Sequence, residues 1–206
     1  NEFVADNKNG LTDADGDHAD WIEIHNPNPF AIELGGWSLT DDPLRPNKWE
    51  FPSRNVHAGE YLIVFASKKK GTLDANFRLA RAGEYLALIN PDDEVVSEFA
   101  PAYPVQFNGV SYGIPSGGRA PAFLAPTPGG ANGPALMEIA PAITNVTENP
   151  PQPAEQKPMT INATVTPRAG AVNEVKLTYR VGFGSERKLV MSDTGGGIYS
   201  ATIPAS

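Results

Sequence analysis

The chain contains no cysteine, which removes disulfides and thiolate metal centres together. Its three histidines, His18, His25 and His57, are too scattered to suggest a zinc triad. No run approaches the ~18 apolar residues of a membrane-crossing helix. No secretory signal pattern is present, and no stretch keeps a helical period. Leu73 to Arg81 comes closest and is interrupted by polar residues. Basic residues are in deficit: 16 Lys and Arg against 24 Asp and Glu give a net charge of −8, the wrong sign for a nucleic-acid surface.

What remains is turn-rich. Twenty Gly, twenty Pro, 9% aromatics and many short apolar runs predict an all-β protein, and 206 residues give room for one large or two small domains. Trp21-Ile22-Glu23-Ile24-His25 alternates as a half-buried strand, and Asn26-Pro27-Asn28-Pro29 ends it. Strands follow near Phe30–Leu34, Trp37–Thr40, Lys48–Phe51, Val95–Phe99 and Gly109–Tyr112. Ala58-Gly59-Glu60-Tyr61-Leu62 recurs 24 residues later as Ala82-Gly83-Glu84-Tyr85-Leu86. Each copy launches an apolar run that reads as a buried central strand, and the two copies read as equivalent edges of a sandwich. Residues 1–133 thus form one β-sandwich of roughly eight strands. Residues 134–158 read as a Pro-rich linker. In residues 159–206, Met159, Ile161, Ala163 and Val165, then Val175, Leu177, Tyr179 and Val181, alternate as antiparallel sheet. About five strands there predict a second, truncated β-sandwich with an unpaired edge. The opening Asn-Glu-Phe-Val already reads as a strand, as expected of a piece of a longer protein.

Charge marks one place above the rest. The first 25 residues carry a net −6, concentrated in Asp13-Ala14-Asp15-Gly16-Asp17-His18-Ala19-Asp20. Alternate aspartates with a glycine are how a short loop wraps oxygens around Ca²⁺. A full EF-hand fails, because His18 stands where Gly is wanted and Ile24 where a bidentate Glu is wanted. Two readings stay open: a solvated Asp/Gly turn, or an open loop holding Ca²⁺ through Asp13, Asp15, Asp17 and Asp20.

The residues also carry a resemblance. Asp20-Trp21-Ile22-Glu23-Ile24-His25-Asn26-Pro27 leads to Leu34-Gly35-Gly36-Trp37-Ser38-Leu39-Thr40-Asp41-Asp42 and Lys48-Trp49-Glu50-Phe51-Pro52. The two Gly-Glu-Tyr-Leu strands, Asn76-Phe77-Arg78-Leu79, Val110-Ser111-Tyr112-Gly113 and Thr127-Pro128-Gly129-Gly130-Ala131-Asn132 follow in order. This series resembles a bacterial lamin tail domain over residues 1–133. The resemblance implies an immunoglobulin-like β-sandwich acting as an interaction module within large exported proteins. Residues 139–206 resemble a bacterial immunoglobulin-like or fibronectin-type-III-like domain more loosely.

Other candidate chemistry is sparser. Gly109-Val110-Ser111-Tyr112-Gly113 matches Gly-x-Ser-x-Gly, but Ile114-Pro115-Ser116-Gly117-Gly118 cannot supply the helix that a nucleophile elbow needs. Trp21 and Trp49, on the polar phase of their strands, are candidates for a sugar-stacking platform. Lys68-Lys69-Lys70 reads as a solvated turn or an anionic contact. Asn145 and Asn162 head sequons that carry no information in a bacterial protein.

The expected function is therefore a non-enzymatic interaction or structural module of a larger exported or cell-surface bacterial protein. It would act in adhesion, scaffolding or presentation of a neighbouring domain, with a protein or surface polymer as partner and neither nucleic acid nor membrane insertion. The alternative is a carbohydrate-binding accessory of a secreted enzyme.

Overall fold

The computed structural model describes residues 1–152, 154, 156–168 and 171–205. Among these there is no helix, and none therefore long and apolar enough to cross a membrane. The chain divides into two compact units, Asn1–Leu136 and Met137–Ser206.

The first unit holds β1 (Glu2–Val4), β2 (Trp21–His25), β3 (Ile32–Glu33), β4 (Ser38–Thr40), β5 (Trp49–Glu50), β6 (Asn55–Val56), β7 (Tyr61–Phe65), β8 (Leu86–Ile89), β9 (Val95–Phe99), β10 (Ser111–Gly113) and β11 (Ala122–Leu124). One antiparallel sheet runs β11-β10-β1-β2-β7 and a second β5-β4-β8-β9, with β3 and β6 as a separate ribbon. Side-chain alternation sends Phe3, Ile22, Leu62 and Val64 of the first sheet and Leu39 and Leu86 of the second into one shared core. Tyr103, Phe99 and Tyr112 surround Phe3, with Phe3–Phe99 centroids 5.0 Å apart. The architecture is the expected all-β sandwich.

The repeated Gly-Glu-Tyr-Leu segments do not hold equivalent places. The second leads into β8, a central strand. The first forms β7, an edge of its sheet. It reads as central because Leu73–Ala75 folds along that edge: the Leu73 carbonyl accepts from the Phe65 N–H, and Ala75 donates back to the Phe65 carbonyl. The covering loop also sends Ala75 and Phe77 into the core. The glycines differ accordingly. Gly59 (φ +74°) has open space around it, whereas a Cβ at Gly83 (φ +99°) would stand 2.2 Å from the Tyr103 carbonyl oxygen.

The second unit contains β12 (Ala142–Asn149), β13 (Met159–Thr166), β14 (Lys176–Tyr179), β15 (Arg187–Val190), β16 (Ser192–Asp193) and β17 (Ile198–Ile203). They pair as β12-β13-β17-β16 and β14-β15 around Ile161, Ala163, Val165, Val175, Met191 and Ala201. The expected linker over residues 134–158 needs correcting here, since its middle is β12, paired with β13 from Ala142↔Thr166 to Asn149↔Thr160. Flanking Pro141 and Pro150 make the stretch look like a spacer, yet Ile143, Thr144, Val146 and Thr147 have strong strand preference. Pro153 and Glu155 of the same stretch lie outside the described residues.

Candidate functional site

The acidic run forms a tight turn before β2. The Asp13 N–H donates to the Asp17 carbonyl and Gly16 N–H to the Asp13 carbonyl, with Gly16 at φ +85°. Asp13 Oδ1 accepts the N–H groups of Asp15 (3.0 Å) and Asp17 (2.9 Å), which leaves Oδ2 facing outward. Asn7, buried beneath, donates through Nδ2 to the carbonyls of Leu11 and Ala19 and fixes both ends of the loop.

Asp13, Asp15 and Asp17 bring one carboxylate oxygen each within 4.8 Å of one another. That spread suits oxygens ~2.4 Å from a central Ca²⁺. The centre holds the ammonium of Lys69, whose Nζ donates to Asp13 Oδ2 (2.6 Å), Asp15 Oδ2 (2.7 Å) and Asp17 Oδ2 (2.8 Å). The contact lowers the Asp13 pKa and raises that of Lys69 through these same hydrogen bonds. Asp15 and Asp17 remain about 70% exposed, so their two pairs with Lys69 are worth little individually, and the single ammonium offsets only part of the cluster's charge.

Asp20 does not join this cluster. Its Oδ1 accepts the Asn7 N–H at 3.3 Å, and burial, then the nearby charges of Asp6 and Glu84, push its pKa up to about 6 against a hydrogen bond and Arg78 that favour the anion. A carboxyl that holds its proton more tightly folded than unfolded makes stability fall as pH rises from about 4 to 6. Asp20→Asn is therefore expected to stabilise the protein at pH 7.5 by about 1–2 kcal/mol, discounted for partial exposure, and to have little effect at pH 4. Chemical unfolding at the two pH values checks this, and an equal effect at both would contradict it.

A second carboxylate pair was not visible as a site in the sequence. Glu2 of β1 stands opposite Glu23 of β2, on the face turned away from Phe3 and Ile22, and both are almost fully buried. Like charges opposite each other repel, so both depend on donors. Glu2 Oε2 accepts from Ser111 Oγ at 2.5 Å, and Oε1 from the Thr127 N–H (2.6 Å) and Thr127 Oγ1 (3.1 Å). Glu23 Oε1 accepts from Asn1 Nδ2 (2.6 Å) and Oε2 from the Gly129 N–H (2.5 Å). Burial raises the Glu23 pKa, and the Gly129 and Asn1 hydrogen bonds oppose the shift.

The segment over this pair is Thr127-Pro128-Gly129-Gly130-Ala131-Asn132. Gly130 N–H closes a turn on the Thr127 carbonyl (3.0 Å), with Pro128 first and Gly129 (φ +83°) second in the bend. Asn132 then donates to the carbonyls of Asn1 (3.0 Å) and Ile114 (2.8 Å). The glutamates are thus posts on which the last loop of the sandwich is fastened. In the sequence Glu23 stands within the motif series, whereas Glu2 carries no such signal.

Ser111 has no exposed surface and is bonded to Glu2, so it cannot meet a substrate. Trp21, 1% exposed, offers no face to a sugar, which corrects its reading as a platform residue. The polar phase of β2 proves to be a second buried face, shared with Val4 and Glu23. Trp49 is half-buried and packs edge-on against Phe51, with centroids 4.8 Å apart. His25 stacks on Tyr61 at 4.2 Å, its pKa lowered chiefly by burial, while His18 and His57 are exposed.

Residues 1–102 match a family model described as Lamin Tail Domain. No curated protein and no solved structure matches the chain. The ordered motifs, the immunoglobulin-like sandwich and this match agree: residues 1–102 belong to the lamin tail domain family.

Proposed function

We propose that the chain is a non-catalytic interaction module of a larger exported or cell-surface bacterial protein, acting in adhesion, scaffolding or presentation of a neighbouring domain. The observation that carries this reading is the fate of the groups that resemble chemistry. Ser111, Glu2 and Glu23 are sealed inside as struts, and Asp13, Asp15 and Asp17 are bound to Lys69. Recognition is then left to the surface. Protease shaving of intact cells tests the location, and deletion of residues 1–136 from the parent protein tests the role. Shaving should release peptides of this unit, and deletion should reduce retention at the surface while soluble-substrate turnover of any neighbouring catalytic domain persists. Recovery only from the cytoplasm, or loss of that turnover with retention intact, would overturn the reading.

Calcium enters this proposal as a competitor of Lys69. The loop offers three carboxylates with spacing suited to Ca²⁺, and a tethered ammonium already occupies their centre and offsets part of their charge. Lys69→Met should lower the melting temperature in EDTA by a few degrees and recover it in millimolar Ca²⁺, the range of weak extracellular sites (roughly 10⁻⁴–10⁻³ M). Wild type should respond less. A Lys69→Met protein whose melting temperature is the same in EDTA and in millimolar Ca²⁺ would remove the metal from the account.

A further inference from the structure

The first unit carries a net charge of −8, yet one open cleft on it is cationic. Arg45, Lys48, Lys68 and Arg78 line it with a single carboxylate, Asp41, and the cleft measures about 680 Å³. Four of the ten bases in residues 1–133 thus meet in one place, drawn from three separate segments.

Local structure explains the gathering. Ser67 Oγ donates to Asp74 Oδ1 (2.6 Å) and accepts the Lys69 N–H (3.0 Å), making a tight turn at the end of β7. Lys68 sits in it at φ +62°, a left-handed conformation that favours glycine. This turn parts the basic run: Lys69 reaches the acidic loop, while Lys68 lines the cleft. Phe77, buried at the cleft, fixes the neighbouring Arg78. The opposite wall is the Asp41–Lys48 bend, where Thr40 Oγ1 donates to the carbonyls of Asp42 and Arg45.

Not all four charges are available. Lys48 pairs with Asp41 and Arg45 with Asp42, whereas Lys68 and Arg78 form no ion pair among the described residues. Two cations without an ion pair, of which Arg78 also acts on Asp20 from a distance, are backed by two paired ones and make the cleft positive on a unit of net negative charge. Such a field attracts oxyanions and repels the rest of an acidic protein, which also disfavours a second copy as occupant. Arg supplies a planar fork for phosphate or carboxylate, and Lys a point charge.

We propose that this cleft binds an oxyanion-bearing surface polymer, its phosphate or carboxylate groups seated between Lys68 and Arg78. The inference rests on the interaction-module reading and names the partner's chemistry. The test uses the full chain with two soluble probes, inorganic polyphosphate and polygalacturonate, measured by calorimetry at low and at 0.3 M salt. Binding of either should fall more than tenfold in Lys68→Gln/Arg78→Gln and change less than twofold in Arg187→Gln/Lys188→Gln, which removes equal charge from the second unit. Salt should weaken it in wild type. Polyphosphate alone binding would assign phosphate, and polygalacturonate alone carboxylate. Equal losses in the two double variants, or no binding of either probe, would overturn the inference. Failure here with surface retention still lost on deletion of residues 1–136 would discard the ligand and keep the module.

Discussion

Glu2→Ala should lower the stability of the first unit by about 3–4 kcal/mol, among the largest losses a single substitution can cause here. The substitution takes the carboxylate acceptor from three donors, Ser111 Oγ, the Thr127 N–H and Thr127 Oγ1. The Thr127 amide is left without a partner, while Ser111 Oγ keeps only the Leu124 carbonyl at 3.4 Å and Thr127 Oγ1 only Asn132 Oδ1 at 3.3 Å. Each buried, unpaired donor costs on the order of 1–3 kcal/mol, and partial rehydration of the freed loop limits the total. Relief of repulsion with Glu23 offsets a little of it. Glu2→Gln, which keeps the shape and one carbonyl acceptor, should lose about half as much. Urea unfolding measures both, and a loss under 0.5 kcal/mol for Glu2→Ala would mean that the loop is fastened elsewhere.

Trp21→Ala should cost about 3–5 kcal/mol, the usual range for removing a large buried aromatic. The indole is 1% exposed and lies in register between Val4 and Phe65 on the covered face of its sheet. This outcome separates packing from sugar binding. A platform residue would lose glycan affinity with stability intact; here the melting temperature should fall by many degrees. A Trp21→Ala protein as stable as wild type would contradict the packing described.

Periodicity made the core half of this fold legible. Ile22 and Ile24 occupy alternate positions that the sequence alone assigns to the core face, and Leu62 and Val64 of the all-apolar β7 run join them there. The error lay in the complementary phase. Trp21, Glu23 and His25 read as the solvent phase because two of them are polar, but a returning loop covers that side of the sheet at its Glu2–Glu23 end. Alternation reports two faces, and it cannot report that a loop more than a hundred residues downstream will cover the second one.

The candidate site divides similarly. The acidic loop was readable, since Asx turns and alternate aspartates are local features. Its counter-ion was not, because Lys69 arrives from 52 residues beyond Asp17. The cationic cleft is equally non-local: Arg45, Lys68 and Arg78 become neighbours only once β4 and β7 are placed. β12 was missed for the opposite reason, local composition outweighing pairing. Its flanking prolines suggested a spacer, whereas the pairing with β13 is a tertiary fact.

The central claim is that two buried glutamates close the sandwich by holding residues 127–132. Amide hydrogen exchange of Thr127 and Gly129 tests it most directly. Both N–H groups donate to carboxylates, at 2.6 and 2.5 Å, and not to another strand. They should exchange nearly as slowly as the amides of β1 and β10, and in Glu2→Ala Thr127 should accelerate well beyond the general increase that the loss of stability gives β1 and β10. Exchange at loop rates in the wild-type protein, with β1 and β10 protected, would contradict the account.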